Sequence, residues 1–178
     1  MTDTRRNKCC RKGFTLVELI IVVVILGIAA AMAVPMFSGA ADMQVRSAAN
    51  RIAADIDYAK GLAITHQQSY SLVFSGDSYT IQKADGTSVP NPLTGAISFV
   101  VNFSTDSRLS QVSIDSADFD PDSSDTITFD YLGSPYSGET TAPGNSLNSG
   151  QITLEAGSFS LTVDVEPVTG YVTIEDTP

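Results

Sequence analysis

The residue with the strongest chemical implication is Glu18, the fifth residue of a 21-residue apolar run from Phe14 to Val34. An ionised carboxylate in hydrocarbon costs about 2.5 kcal/mol or more at the bilayer centre, so a glutamate there needs a partner or a function. It is the one charged residue of the run. The sequence therefore marks Glu18 as a candidate functional residue.

A second group of residues that could form a functional site consists of aspartates. Five aspartates fall in the segment DSADFDPDSSD, which the sequence predicts as one loop, namely Asp115, Asp118, Asp120, Asp122 and Asp125. Alternate carboxylates can converge on Ca²⁺, which takes six to eight oxygen ligands. The segment lacks the glycine turn and the terminal glutamate of an EF-hand. We therefore expect a solvated loop and no metal site, with Asp118, Asp120, Asp122 and Asp125 as a weak calcium candidate.

The sequence offers few residues that could form a catalytic site. The single histidine, His66, has no cysteine nearby and is predicted to cap a helix or lie on the surface. The sequence contains neither a phosphate-binding glycine loop nor a nucleophile elbow. We predict that the chain is not an enzyme, has no catalytic residues and needs no cofactor.

The apolar run has the length of a membrane span. As a helix with a rise of about 1.5 Å per residue it would measure about 30 Å, the thickness of the bilayer hydrocarbon. Five basic residues precede it within residues 1–13, which favours a cytoplasmic N-terminus. A cleavable secretory signal, cut near Ala33, and a plain membrane anchor are alternatives, although a run of 21 residues is long for a signal peptide.

The order Lys12-Gly13-Phe14-Thr15-Leu16-Val17-Glu18 resembles the processing signature of type IV pilins and type II secretion pseudopilins. This resemblance implies that a prepilin peptidase cuts between Gly13 and Phe14 and methylates the new amino group of Phe14. A glycine suits such a cut because a residue without Cβ can lie extended in a protease cleft. Residues 1–13 would then be a cleaved basic leader.

The resemblance also implies a role for Glu18. In the family, this glutamate is thought to pair with the N-terminal amine of a neighbouring subunit, so each buried charge would satisfy the other. The alternative is that Glu18 extends to the lipid headgroups and favours the positive end of the helix. The implied location is the bacterial inner membrane, with a cytoplasmic N-terminus and a periplasmic head, followed by a periplasmic pseudopilus or pilus.

The helix is predicted to continue beyond the span. Pro35 should bend it rather than end it. Behind Pro35, apolar residues recur at spacings of three and four, which predicts a buried stripe composed of Val45, Ala48, Ala49, Ile52, Ile56, Ala59 and Ala63. We expect a transmembrane or filament-core helix over residues 14–35 and an amphipathic helix over residues 36–66. An independent surface helix is the alternative for the second part.

Residues 67–178 are predicted to form a β-rich head. Eight segments have strand character: YSLVFS, SYTIQK, AISFVVNF, QVSI, TITFDY, QITLEA, SFSLTVDV and YVTIE. Gly76-Asp77 predicts a hairpin between the first two, and EPVTGY predicts a tight turn between the last two. The fold class is α+β, with a long N-terminal helix packed on an antiparallel sheet.

The segments from Arg51 to Ser75 and from Gln151 to Ile174 resemble the GspH/FimT type of minor pseudopilin. This implies a subunit of a type II secretion pseudopilus or of the complex that primes a type IV pilus. The implied partners are other pilin subunits, the peptidase and an inner-membrane assembly platform. A major pilin and a secreted binding domain stay open as alternatives.

The charge of the predicted head bears on nucleic acid as a partner. Some FimT-like members bind DNA through basic residues near the C-terminal hairpin. Here residues 67–178 carry two basic and fifteen acidic residues, a net charge of −13. We therefore predict that nucleic acid is not a partner.

Both cysteines, Cys9 and Cys10, lie in the leader, so disulfides do not stabilise the head.

Overall fold

The computed structural model describes residues 14–176, with the backbone alone described at residues 31–38. The predicted leader, residues 1–13, therefore lies outside the described residues. The side chain of Pro35, where a kink is predicted, also lies outside them. The chain divides into two compact units between Phe37 and Ser38. In the described part, no helical stretch combines the length and the apolarity needed to cross a bilayer.

One helix, α1, runs from Leu16 to His66. At its start, the Thr15 hydroxyl accepts a hydrogen bond from the backbone N–H of Glu18 at 3.2 Å, as expected of a helix-capping threonine. At its end, a ring nitrogen of His66 lies 3.1 Å from the Leu62 carbonyl oxygen, and the His66 ring packs beside that of Tyr70. His66 therefore lies at the helix end, as predicted.

The predicted apolar stripe is confirmed. All seven of its members, from Val45 to Ala63, are completely buried. They share one core with the inward side chains of both sheets, including Leu72, Phe129, Leu154 and Val163. Four of the seven are alanines, whose small side chains let the sheets approach the helix closely. The alternative of an independent surface helix is wrong.

The first sheet has five strands in the order β3-β2-β1-β5-β6. The strands are β1 (Tyr70–Ser75), β2 (Ser78–Lys83), β3 (Val100–Asn102), β5 (Thr126–Phe129) and β6 (Pro135–Ser137). Each hydrogen-bonded pair with a resolved register is antiparallel. The predicted hairpin β1–β2 turns at Gly76, whose φ of +54° favours glycine.

The second sheet has four strands in the order β4-β7-β8-β9, all antiparallel. The strands are β4 (Ser113–Asp120), β7 (Ser149–Ala156), β8 (Phe159–Val165) and β9 (Val172–Asp176). The predicted tight turn between β8 and β9 closes with a hydrogen bond from Glu166 N to Tyr171 O at 2.8 Å. The α+β class is therefore confirmed, although the head has two sheets where the sequence predicted one.

The prediction of a single acidic loop is wrong. Strand β4 extends to Asp120 and pairs with β7, so Asp115, Asp118 and Asp120 belong to a strand. Alternation along β4 buries Phe119 and leaves Asp118 exposed. A register shift between Ile114 and Ser116 marks a bulge at Asp115. Aspartate is depleted in strands, so the sequence pattern did not indicate the second half of β4 as a strand.

Candidate functional site

The first turn of α1 carries the residues predicted for assembly. Phe14 and Thr15 precede the helix, and Glu18 lies in its first turn. Glu18 is exposed, so its carboxylate is accessible to another molecule. A carboxylate in the first turn is favoured by the positive end of the helix dipole. The structure thus places Phe14 and Glu18 at one end of the helix, where the predicted pairing with another subunit requires them.

The helix behind Glu18 is apolar on every side. Eleven large apolar side chains of α1 are between 47% and 76% exposed, namely Leu16, Val17, Leu19, Ile20, Ile21, Val22, Val23, Val24, Ile25, Leu26 and Ile28. Complete burial of one such side chain contributes about 1.5–3 kcal/mol. A helix that is apolar all round belongs in lipid or in the core of a larger assembly.

A buried polar cluster joins α1 to the first sheet. The Tyr79 hydroxyl donates to Asp55 Oδ2 at 2.6 Å, and Arg51 Nε donates to the same oxygen at 3.1 Å. Asp55 is 6% exposed and Tyr79 only 1%. The spacing of four residues on a helix predicts the pair of Arg51 and Asp55, but it does not indicate Tyr79. Alternation in SYTIQK, which places Tyr79 on the same face as Ile81, could have indicated an inward tyrosine.

Electrostatics in this cluster follow from burial and from the charge of Asp55. Burial, followed by the Asp55 charge, raises the pKa of Tyr79 far above its ordinary value of 10.0. Burial lowers the pKa of Arg51, but the charge of Asp55 and its hydrogen bond outweigh this, so the pKa is raised overall. The cluster therefore keeps Arg51 charged and Tyr79 neutral. It can fix the position of the head on α1.

Two further contacts attach the C-terminal hairpin to α1. Arg46 pairs with Asp176 of β9 at 2.8 Å and with Asp42, four residues earlier on α1, at 2.9 Å. The charge of Asp176 and the hydrogen bond to Asp42 raise the pKa of Arg46. Lys60 Nζ donates to the Thr169 carbonyl oxygen at 2.6 Å. These bonds are exposed and individually weak, but they orient the last hairpin along the helix.

The aspartates of the calcium candidate are not brought together. Among residues 14–176 there is no group of three or more His, Cys, Asp or Glu side chains that could hold a metal ion. Asp120 accepts from Ser149 Oγ at 3.0 Å, Asp122 accepts from Asn145 Nδ2, and Asp125 accepts from Thr126 Oγ1 at 3.1 Å. Asp118 lies on β4 opposite Gln151. A calcium site built from these four residues is therefore not supported.

Comparison with known protein families identifies the family of the chain. The model of the prokaryotic N-terminal methylation motif matches residues 8–34, and that of the type II transport protein GspH matches residues 48–169. The chain belongs to the GspH family. It is a minor pseudopilin or pilin, a structural subunit that assembles with other pilin subunits.

Two other comparisons complete this result. The GspH-family chain has no significant match among curated proteins. Among solved structures it is similar to the type IV minor pilin FimU of Pseudomonas aeruginosa strain PAO1. The sequence identity is 15%, the TM-score is 0.44, and the match covers 77% of this chain and 90% of FimU.

Proposed function

We propose that the protein is a membrane-inserted minor subunit that a prepilin peptidase cuts between Gly13 and Phe14 and methylates at Phe14. The N-terminal methylation motif over residues 8–34 supports this, because it includes both residues. The mature chain then begins at Phe14. The new amino group then lies two residues before the start of α1 and four residues before Glu18.

The apolar segment of α1 is the proposed membrane span. Its eleven exposed large apolar side chains extend from Leu16 to Ile28, and the apolar sequence continues to Val34. Basic residues before it and the acidic head after it favour a cytoplasmic leader and a periplasmic head in the inner membrane. During assembly, subunits leave the membrane and exchange lipid contacts for helix contacts through residues such as Leu16, Ile20, Val23 and Leu26. A cytoplasmic ATPase and an inner-membrane platform, both implied by the family, supply the energy.

Glu18 sets the register of assembly in this proposal. Its carboxylate pairs with the Phe14 amine of the adjacent subunit, so two charges that are costly in hydrocarbon become one hydrogen-bonded pair. The observation that carries the proposal is a single exposed carboxylate at the start of an entirely apolar helical segment. The resulting filament is the pseudopilus of a type II secretion system or the priming complex of a type IV pilus.

Replacement of Glu18 tests the proposal directly. We predict that Glu18→Ala and Glu18→Gln leave processing and membrane insertion unchanged but reduce crosslinking into filaments at least tenfold, since each removes the charge that pairs with the amine. Glu155→Ala, which removes an exposed carboxylate from β7, is the matched control and should assemble normally. Normal incorporation of Glu18→Gln would refute the pairing.

The N-terminus of the mature protein separates the remaining alternatives. Mass spectrometry should find a methylated Phe14 as the first residue. A chain that starts near Val34 would instead indicate signal peptidase cleavage and a secreted binding domain. The abundance of the subunit in sheared filaments distinguishes a minor subunit from a major pilin.

A further inference from the structure

The head carries an exposed apolar patch that the proposed function does not explain. It consists of Ile64, Tyr131, Leu132, Val168 and Tyr171, which are 44%, 51%, 67%, 82% and 65% exposed. These residues come from the end of α1, the β5–β6 turn and the β8–β9 turn. Exposed apolar residues scattered singly need no explanation, but a contiguous patch of several hundred Å² marks an interaction site.

The three segments that carry the patch are in contact. A Cβ built on Gly133 would lie 2.9 Å from Ile64 Cδ1, so the β5–β6 turn touches the last turns of α1. A Cβ built on Gly170 would lie 3.7 Å from the Gly133 carbonyl oxygen, so the two turns are adjacent. Lys60 Nζ binds the Thr169 carbonyl oxygen at 2.6 Å and holds the β8–β9 turn against the helix. The three segments that carry the patch therefore lie side by side.

Backbone strain at Val168 provides a second, independent observation. Its φ is +71°, a left-handed conformation that is a genuine outlier for a β-branched residue. A hydrogen bond from Thr169 N to Pro167 O at 2.8 Å makes Val168 the centre of a three-residue turn, and this form with positive φ is rare and strained. A glycine would relieve the strain. The valine side chain is 82% exposed, so contacts within the head do not offset its cost.

We propose that this patch docks onto a different protein subunit, one that presents an apolar face rimmed by lysine or arginine. The charge of the head selects this partner over a second copy of the chain, because residues 67–178 carry a net charge of −13 and two such heads repel. The five side chains of the patch are uncharged, and Lys60 and Glu166 flank them with opposite charges. The preference for a basic rim on the partner therefore comes from the net charge of the head. The inference rests on the proposed function, since the partner is a neighbour in the same assembly.

The size of the patch indicates how it works. The patch has five residues, whereas each partner contributes roughly 20–30 residues to a standard stable interface. Free heads should therefore associate weakly. Subunits held side by side by their helices meet at high effective concentration, and a weak contact then suffices to order them. The exposed Tyr131 and Tyr171 supply aromatic side chains, which are enriched in protein interfaces.

Site-specific photocrosslinking in the full chain tests the proposal. A benzophenone amino acid at Leu132, in membranes of cells that assemble the filament, should crosslink to another pilin-type subunit identified by mass spectrometry. In that background, Val168→Gly and Val168→Asn should each reduce the yield about five- to tenfold. Both residues tolerate positive φ, so the purified full chain in detergent should melt at the same or a higher temperature than the parent.

The matched control is Ser123→Gly. Ser123 also has a positive φ, of +47°, but lies at the opposite end of β5 from the patch. It should not change the crosslinking yield. An unchanged yield in Val168→Gly, or crosslinks only to lipid or to a second copy, would overturn the proposal.

A second benzophenone position, at Ile21 in the apolar segment of α1, separates the two hypotheses. Crosslinks to other subunits from Ile21 without any from Leu132 overturn the patch and leave the proposed function intact. Absence of crosslinks at both positions removes the proposed function as well.

Discussion

The buried cluster of Arg51, Asp55 and Tyr79 allows a stability prediction with a defined magnitude. Tyr79→Phe removes the 2.6 Å hydrogen bond to Asp55 Oδ2 and leaves a carboxylate that is 6% exposed with Arg51 alone as its partner. A hydrogen bond to a charged group contributes about 1.5–3 kcal/mol. For a chain of this size, about 2 kcal/mol corresponds to a decrease of roughly 4–8 °C in melting temperature.

Thermal unfolding of the full chain in detergent, followed by circular dichroism, measures this effect. The chain has no tryptophan, so far-ultraviolet circular dichroism is preferable to fluorescence. Tyr136→Phe is the matched control, because its hydroxyl lies 3.5 Å from Asp130 Oδ2 and the ring is half-buried. It should lower the melting temperature by less than about 2 °C. Equal shifts in the two variants would refute the assignment of the cluster as a structural link.

Two further predictions concern pH and the helix stripe. Because the folded-state pKa of Tyr79 is raised, its contribution to stability should be complete below pH 10, the ordinary tyrosine pKa, and should be lost as the pH rises above it. Between pH 8 and 11, the free energy of unfolding should therefore fall less steeply with pH in Tyr79→Phe than in the parent. Identical slopes in the two proteins would contradict the raised pKa of Tyr79. Ile56→Ala leaves a cavity in the buried stripe and should cost about 2–5 kcal/mol in urea unfolding, whereas Ile97→Ala, at a side chain that is 90% exposed, should cost less than about 0.5 kcal/mol. A loss below 1 kcal/mol for Ile56→Ala would show that the helix does not pack as described.

Features set by local sequence were predicted well. The stripe from Val45 to Ala63 follows from helical periodicity, and each of its members is buried. The hairpin at Gly76 and the turn after Glu166 follow from residues that favour turns. These elements need no knowledge of what they pack against, so the pattern alone determines them.

Features set by distant pairing were missed. Strand β6 has only three residues and begins with Pro135, so neither periodicity nor propensity indicates it. Strand β4 is stabilised by its pairing with β7 despite three aspartates. The hydrogen bond between Asp55 and Tyr79 joins residues 24 positions apart on a helix and a strand. Each depends on contacts that form only when the chain has folded.

The same helix carries the apolar segment at its start and the buried stripe further along. A pull on the N-terminal segment is therefore transmitted to the head through helical backbone and spread over the 19 residues from Val45 to Ala63, about 27 Å of packed side chains. Such a load shears a wide interface and does not peel one strand from an edge. In the proposed assembly, the head should therefore withstand a pull along α1 without unfolding.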